Sequence, residues 1–194
     1  MNSNEIIEKL KETGAILEGH FLLTSGKHSN KYIEKFRILE NPETLDLVCN
    51  QMAKLFKDSS AEIILSAAIG GILLCGGVGR HLGLKHIFAE RIEGKLCLRR
   101  GFDLPEGIKV LIVEDIVTTG GSIIELIDLS ENYGANIIGI CSLVDRAANK
   151  RNFNYEYKSL LELPIESWEE ENIPDWLKNI PITTPGRSGK KHNV

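Results

Sequence analysis

Four short apolar runs along the chain alternate with segments in which apolar residues recur at helical spacing. The runs are EIILSA (62–67), KHIFAE (85–90), KVLIVE (109–114) and NIIGICSLV (136–144). Apolar runs of this length are typical of strands buried on both faces. Strands that alternate with helices predict an α/β fold with a central, mainly parallel sheet flanked by helices. In such sheets, ligands bind beyond the carboxyl ends of the strands.

Capping residues and spacing predict where the helices begin and end. Asn41 and Pro42 supply a cap and a first-turn proline for a helix with Leu45, Val48, Met52, Leu55 and Phe56 on one face. Further helices are expected from the N-terminus to Gly14, from the Ile-Gly-Gly turn at 69–71 to Leu82-Gly83, and from Gly121 to Tyr133 before Gly134. RIEGKLCLRR (91–100) alternates around Glu93-Gly94 and predicts a hairpin rich in basic residues.

The two ends of the chain are less regular. FLLTSGKHSNKY (21–32) breaks at Ser-Gly and has no helical period, so it predicts a loop or a short bent strand. YKSLLEL (157–163) is a candidate strand, WEEENIPDWLKN (168–179) a surface segment or short helix, and TTPGRSGKKHNV (183–194) a loose tail. No repeat or linker divides the chain, so we expect a single domain over residues 1–194.

Composition narrows the classes of function. The chain has 194 residues, 42% hydrophobic and 26% charged, with a net charge of −4. Its only basic run is the short RSGKKH tail, so we expect no nucleic-acid partner. The N-terminus is charged, and no apolar stretch reaches the roughly 18 residues of a membrane helix. Four scattered cysteines without a CxxC motif predict reduced packing residues and a cytoplasmic protein.

VLIVEDIVTTGGS (110–122) carries the candidate chemistry. Glycines and a helix start let the backbone N–H groups of the TTGGS turn cradle a phosphate, to which Thr118, Thr119 and Ser122 add hydroxyl donors. The preceding acids, Glu114 and Asp115, would repel a phosphate, so they are expected to face sugar hydroxyls or a divalent cation on the same ligand.

Three other interpretations of the same stretch are possible. It could be an ordinary strand end followed by a helix cap. A Walker B acid pair looks similar, but the chain has no GxxxxGK[ST] loop. A dinucleotide fold would need GxGxxG in a strand-to-helix turn, whereas Gly77, Gly79 and Gly83 fall within a predicted helix, where small residues serve close packing.

Residues 110–122 closely resemble the PRPP-binding signature of the type I phosphoribosyltransferases. The segments FLLTSGKHSNKY, RIEGKLCLRRGF and SLVDR are similar to those of the orotate phosphoribosyltransferase family, and the resemblance runs with gaps from about residue 5 to 165. It implies transfer of ribose 5-phosphate from PRPP to orotate in pyrimidine (UMP) biosynthesis, with Mg²⁺ required. It also implies a type I phosphoribosyltransferase fold with a small N-terminal hood, formed by about residues 1–35 with the C-terminal segment as a further contributor.

The resemblance also implies roles for individual residues. Glu114 and Asp115 would hold the ribose hydroxyls, directly or through water and the metal, and Mg²⁺ would be held mainly through PRPP, with no dedicated protein ligand. PRPP would further contact Ile116, Val117, Thr118, Thr119, Gly120, Gly121 and Ser122. Ala68, Ile69, Gly70 and Gly71 match the pyrophosphate loop, although Ser66-Ala67 stands where Gly-Pro is common. Orotate would contact Thr118, Arg146 and Lys27, and a planar guanidinium suits its carboxylate.

The basic hairpin corresponds to the mobile catalytic loop, which in the family reaches the neighbouring subunit's site. Arg91, Lys95 and Asp115 are the implied catalytic residues, with Arg99 as a further PRPP contact and Arg100 beside it. This hairpin is short and lacks the usual histidine, and Thr24 replaces a lysine common before Ser-Gly, a role that Lys27 could take over in part. Tyr32 is expected to pack in the hood, and His28 either there or at the surface.

The resemblance predicts a homodimer with shared active sites, the small-molecule substrates PRPP and orotate, and neither a nucleic-acid nor a membrane partner. Two other functions remain open. One is a type I phosphoribosyltransferase for uracil or a purine base. The other is a PRPP-sensing regulator with the same fold, against which the acidic balance argues.

Overall fold

The computed structural model describes residues 3–23, 25–147 and 152–185. Its contacts divide the chain into two compact units. The sheet unit is Leu39–Leu163, and the hairpin unit consists of the described residues of Met1–Ile38 and Pro164–Val194. Most of the predicted tail lies outside the described residues, as does Thr24. None of the helices in the described ranges is long and apolar enough to cross a membrane.

The helices and strands follow one another in this order: α1 (Ser3–Glu12), β1 (Ile16–Leu22), β2 (His28–Ile33), α2 (Lys35–Leu39), α3 (Pro42–Leu55), β3 (Ile63–Ala67), α4 (Gly71–Leu82), β4 (Lys85–Ile92), β5 (Lys95–Leu98), β6 (Lys109–Val117), α5 (Gly121–Asn132), β7 (Asn136–Asp145), β8 (Tyr157–Glu162), β9 (Ser167–Trp168), a 3₁₀ helix (Glu170–Asn172), α6 (Asp175–Lys178) and β10 (Ile182–Thr183).

The sheet unit is built on six strands in the order β5-β4-β3-β6-β7-β8. Every neighbouring pair is parallel except β4 and β5, which form the predicted hairpin. All five residues of β3 are buried, as are Val110 to Val113 of β6, because helices cover the sheet on both faces. The predicted central, mainly parallel sheet flanked by helices is therefore confirmed.

Local signals set the ends of the elements as expected. The side chain of Asn41 caps α3 by accepting a hydrogen bond from the Thr44 N–H at 2.9 Å, with Pro42 at the first helical position. Gly83 ends α4 with a φ of 70°, in the left-handed region that glycine favours. Tyr157–Glu162 forms the candidate strand, β8, at one edge of the sheet.

The hairpin unit contains a four-stranded sheet in the order β10-β1-β2-β9. The prediction of a loop or bent strand over 21–32 was therefore wrong for most of this segment, because β1 and β2 form an antiparallel pair around a turn. Residues 28–31 of β2 are all polar, and in β1 the register shifts between Glu18 and Phe21, so neither strand shows the apolar–polar alternation that would have indicated it. Two further short strands, β9 and β10, were not predicted at all.

Small residues let α4 lie close to its neighbours, as the sequence indicated. A methyl group at Gly77 would lie 2.8 Å from Cβ of Cys49 on α3, and closer still to the Cys49 sulfur. A methyl group at Gly79 would lie 3.1 Å from the carbonyl oxygen of Leu84. These glycines therefore serve helix packing, and the dinucleotide-binding interpretation fails.

Substitution of Gly77 tests this contact. Gly77→Ala should destabilise the protein by about 1–3 kcal/mol, because the new methyl group would overlap both the sulfur and Cβ of the buried Cys49, so that α3 and α4 must move apart. Urea unfolding followed by circular dichroism measures the change.

The adjacent Gly76 is the matched control. A methyl group there would lie 3.6 Å from His86 Nε2, an ordinary contact, so Gly76→Ala should be neutral or stabilising by up to ~1 kcal/mol from helix propensity. Equal effects of the two substitutions would show that the packing argument is wrong.

Candidate functional site

The predicted site residues of the sheet unit follow the carboxyl ends of four adjacent strands. Ala67 at the end of β3 pairs with Ala89 of β4, Ser66 pairs with Val113 of β6, and Val117 at the end of β6 pairs with Asp145 of β7. Because these strands are parallel, the segments after them emerge at the same end of the sheet. The topology therefore brings together the loop at 68–71, the turn at 118–122, Arg146 and the β4–β5 hairpin.

Glu114 and Asp115 lie within β6, which continues through them to Val117. Their side chains are only 7% and 6% exposed. The Asp115 N–H donates to Glu114 Oε1 at 2.9 Å, and the Ile116 N–H donates to Asp115 Oδ1 at 2.5 Å. The strand therefore carries two consecutive carboxylates near its end, each of which accepts a hydrogen bond from a neighbouring backbone N–H.

The turn after β6 has the features of an anion site. Thr118 and Thr119 are exposed, and Gly120 has a φ of 83°, in the left-handed region where glycine is favoured. Gly120 is the N-cap of α5 and makes no side-chain capping hydrogen bond. The Gly121 N–H makes a 3.5 Å hydrogen bond to Thr119 Oγ1, which a phosphate oxygen could replace, and the positive end of the helix dipole faces the same turn.

The loop after β3 leads into α4. Ala68 donates its N–H to the carbonyl oxygen of Ala89 at 2.8 Å, and the Ala68–Ile69 peptide bond is cis. Ile69 is 78% exposed, whereas Gly70 is buried. A methyl group at Gly71 would lie 2.9 Å from Cβ of Ser66, so this position has room only for glycine. The backbone of this loop is thus close to the end of β3, where a ligand could approach main-chain N–H groups.

Arg146 directly follows β7. Its N–H donates to the carbonyl oxygen of Val117 at 2.9 Å, which ties it to the end of β6 just before the TTGGS turn. Asp145, which precedes it, is 9% exposed and accepts a hydrogen bond from the Ala147 N–H at 2.7 Å. The Asp-Arg pair of the sequence is therefore a turn in which the acid bonds to the backbone beyond the arginine.

The β4–β5 hairpin holds its arginines against acids. Both terminal nitrogens of Arg91 bond to the carboxylate of Glu125 on α5, at 2.7 and 3.0 Å, and Nη1 also donates to the carbonyl oxygen of Gly94. The bonds to Glu125 raise the pKa of the Arg91 guanidinium. Arg91 therefore joins the hairpin to the helix that begins at the TTGGS turn.

The other basic residues of the hairpin differ in their contacts. Arg100 makes a two-point ion pair with Glu90, at 2.7 and 3.1 Å, which lowers the pKa of the Glu90 carboxyl. Lys95 and Arg99 are exposed and form no ion pair with any residue in the described part of the chain. Within the described ranges, the positive charge of Lys95 and Arg99 is therefore not held in an ion pair, although Arg99 is near enough to Glu90 to lower the pKa of its carboxyl.

Lys27 belongs to the hairpin unit and lies in the turn between β1 and β2. It makes a 2.9 Å ion pair with Glu169. His28 is buried, so of the two expected placements the surface one is excluded; its Nδ1 lies 2.7 Å from Nε2 of His20, whose Nδ1 donates to the carbonyl oxygen of Ile180 at 3.1 Å. Tyr32 packs against Phe21 with 5.8 Å between ring centroids, in the same hairpin.

Adjacent carboxylates at a strand end are suitable oxygen donors for Mg²⁺. Within the described ranges, no group of three or more His, Cys, Asp or Glu side chains could hold a metal ion. Sequence reasoning missed Glu125 and the contacts of Asp145. Both depend on contacts between separate parts of the chain, Arg91 with Glu125 and Asp145 with Tyr157 of β8. A single sequence contains no local signal for such contacts.

Residues 37–175 match the family model described as a phosphoribosyl transferase domain. The chain is 42% identical over 190 residues to the orotate phosphoribosyltransferase of Caldicellulosiruptor bescii, covering 98% of this chain and 100% of that one. It is 44% identical over 186 residues to the orotate phosphoribosyltransferase of Thermotoga maritima, covering 96% and 100% of the two chains. The chain therefore belongs to the orotate phosphoribosyltransferase family.

A solved structure supports the fold independently. The crystal structure of orotate phosphoribosyltransferase from Aeropyrum pernix superposes with a TM-score of 0.69 at 23% identity, covering 81% of this chain and 93% of that one. At this level of identity the likeness concerns the fold. It confirms the type I phosphoribosyltransferase fold expected from residues 110–122.

Proposed function

We propose that the protein transfers ribose 5-phosphate from PRPP to N1 of orotate, giving orotidine 5′-monophosphate and pyrophosphate in pyrimidine (UMP) biosynthesis. The observation that carries the proposal is the end of β6, where two buried carboxylates lead directly into an open, glycine-rich helix start. Full-length relatives named orotate phosphoribosyltransferase support the choice of base.

In this proposal, PRPP lies along residues 114–122. The helix start at Gly120-Gly121, with the hydroxyls of Thr118, Thr119 and Ser122, binds the 5′-phosphate. Glu114 and Asp115 bind the ribose hydroxyls, which would replace the neighbouring backbone N–H groups as their partners or add to them. The backbone at 68–71 receives the pyrophosphate.

As the bond between ribose C1 and the pyrophosphate oxygen breaks, positive charge develops on C1 and negative charge on the leaving group. N1 of orotate forms the new bond to C1, and the proton on N1 passes to the departing pyrophosphate or to water. Groups that stabilise these charges act on the transition state. We assign this role to Lys95 and Arg91, with Arg99 as a further PRPP contact. Lys95 supplies a positive charge that forms no ion pair with an acid in the described part of the chain. Arg91 acts from a position fixed by its bonds to Glu125.

Mg²⁺ is proposed as the cofactor, bound mainly through the oxygens of PRPP, with Glu114 and Asp115 as the nearest protein carboxylates. A bound Mg²⁺ neutralises charge on the pyrophosphate group. Asp115 is assigned a catalytic role because a carboxylate beside the ribose stabilises the positive charge that develops there.

Orotate is proposed to contact Thr118, Arg146 and Lys27. Arg146 offers a planar, permanently charged group for the orotate carboxylate. The whole chain would act as a single phosphoribosyltransferase domain in which the hairpin unit, including Lys27 and Tyr32, serves as the hood over the base. The free state of all four cysteines supports a cytoplasmic, reducing location.

A homodimer with shared active sites is the proposed assembly. A groove of about 650 Å³ on the sheet unit is lined by Leu45, Ile72, Leu73, Phe88 and Phe102 among others, and Leu73 is 49% exposed. An apolar groove of this kind suits association with a second copy of the chain. Lys95 and Arg99 of each subunit's β4–β5 hairpin would then serve the site of the other subunit, whereas Arg91 stays bonded to Glu125 of its own chain.

A spectrophotometric assay tests the reaction itself. Protein mixed with orotate, PRPP and Mg²⁺ should lower the ultraviolet absorbance of orotate, and Arg146→Ala should reduce kcat/KM for orotate by at least about thirtyfold, because the substrate carboxylate loses its partner. Lys57→Ala, which removes an exposed cation beside Asp58 and outside both the proposed site and the groove, is the control and should leave the rate unchanged.

Three results would overturn the assignment. An unchanged orotate absorbance, in an assay where another orotate phosphoribosyltransferase is active, would reject orotate as the substrate. Turnover of uracil or a purine base that is indifferent to Arg146→Ala would favour the other phosphoribosyltransferase interpretation, and salt-sensitive binding of RNA or DNA without turnover would favour the regulator.

Mixing two inactive variants tests the shared sites. Lys95→Ala and Asp115→Asn each impair every site of their own homodimer. If the hairpin serves the partner's site, each mixed dimer has one intact site, so an equimolar mixture refolded together should regain about a quarter of wild-type activity.

The mixture result has a clear alternative. If each chain completes its own site, the mixed dimers stay inactive and the idea of shared sites is wrong. Mixing each variant with itself through the same refolding is the control, and light scattering verifies that dimers are present.

A further inference from the structure

Asp145 is fully occupied within the sheet unit. Its Oδ1 accepts a hydrogen bond from the Ala147 N–H at 2.7 Å, and its Oδ2 accepts one from the Tyr157 hydroxyl at 2.9 Å. One oxygen of this carboxylate thus bonds to the backbone of the residue after Arg146, and the other bonds to a side chain of the neighbouring strand β8. With the bond from Arg146 N–H to the Val117 carbonyl, the backbone of residues 145–147 is fixed at both ends.

Tyr157 is in turn held by a chain of hydroxyl groups on β7 and β8. Its hydroxyl lies 2.9 Å from Ser142 Oγ, Ser142 Oγ lies 2.9 Å from Ser159 Oγ, and Ser159 Oγ lies 2.9 Å from the Leu161 carbonyl oxygen. Because the Tyr157 proton goes to Asp145, the Tyr157–Ser142 hydrogen bond forms only when Ser142 is the donor, and the single Ser142 proton serves either Tyr157 or Ser159. The ring of Phe153 packs edge-on against the tyrosine ring, with 5.1 Å between centroids. The phenol therefore has one place to lie, and its only proton points to Asp145.

The protonation state of Tyr157 suits a hydrogen-bond donor. Partial burial and the adjacent Asp145 carboxylate raise the pKa of the Tyr157 hydroxyl well above its ordinary value. The group is therefore protonated at neutral pH and donates to Asp145.

We propose that Tyr157 is a positioning residue for substrate carboxylate recognition: through Asp145 it fixes the turn that presents Arg146. The proposal rests on the proposed function, since it assigns Arg146 to the carboxylate of orotate. A planar guanidinium makes two parallel hydrogen bonds to a carboxylate only within a narrow range of orientations, so a backbone fixed at 145–147 increases the share of productive geometries. In this pair, Asp145 fixes the backbone, and Arg146 binds the substrate carboxylate.

The alternative is that the hydroxyl chain only stabilises the edge strand β8. The register already places Ser142 opposite Ser159, and β8 is the last strand of the sheet. A purely structural role predicts that loss of the Tyr157 hydroxyl lowers stability but affects both substrates equally. A positioning role predicts an effect confined to the substrate that Arg146 binds.

Tyr157→Phe removes the donor and keeps the ring. We expect the KM for orotate to rise about five- to tenfold, with the KM for PRPP unchanged within about twofold. Tyr155→Phe is the matched control, because Tyr155 lies two residues before Tyr157 and its hydroxyl bonds to Glu131 on α5 at 2.7 Å. Loss of this hydroxyl should change the KM of neither substrate.

A double-mutant cycle separates positioning from stability. In an Arg146→Ala background, Tyr157→Phe should alter kcat/KM for orotate by less than about twofold, since the group that it positions is absent. Asp145→Asn, which replaces the acceptor of the tyrosine proton, should raise the orotate KM in the same direction as Tyr157→Phe.

Each outcome decides between the two ideas. If wild-type protein turns over orotate but Tyr157→Phe changes both KM values equally, behaves like Tyr155→Phe, or adds fully to Arg146→Ala, the positioning role is wrong and the proposed function stands. If wild-type protein has no activity with orotate, the proposed function fails and the positioning role fails with it.

Discussion

The parallel pairing of β3, β6 and β7 is the constraint on which the rest of the sheet unit depends. Parallel strands place their carboxyl ends together, so segments that are about 50 and 30 residues apart in sequence emerge side by side. The pyrophosphate-loop candidate, the acid pair with its glycine-rich turn, and Arg146 each follow one of these strands. A shift of one residue in register would turn each buried side chain of β6 to the opposite face, so the apolar residues that fix the register also fix the site.

Much of this arrangement could be predicted from the sequence because its signals are local. The apolar run before Glu114, the glycines after Thr119 and the Asn41-Pro42 helix start each lie within a few residues of the feature that they specify. Parallel pairing then follows from the alternation of strands and helices. The resemblance of residues 110–122 to a PRPP-binding signature added the chemistry, and the full-length relatives confirm the family.

What could not be predicted depends on contacts between distant segments. Nothing near Arg91 indicates that Glu125, 34 residues later, bonds to its guanidinium. The β1–β2 pair was missed for another reason, since a register shift between Glu18 and Phe21 interrupts the alternation on which strand prediction relies. The burial of His28 could not be predicted either, because it depends on the contact with His20 across the hairpin and not on the polar neighbours of His28 in sequence.

Five carboxylates of the sheet unit differ in where they lie. Asp145, Glu125 and Glu90 bond to protein donors at both oxygens, so a ligand would have to displace two hydrogen bonds to reach any of them. Glu114 and Asp115 each accept a hydrogen bond from the backbone of their own strand, just before the TTGGS turn. Because this turn suits a phosphate, a ribose phosphate bound there would bring its hydroxyls towards these two acids. Their position therefore favours Glu114 and Asp115 as the groups that bind sugar hydroxyls, whereas the other three hold the arginine side chains and the turn at Arg146 in place.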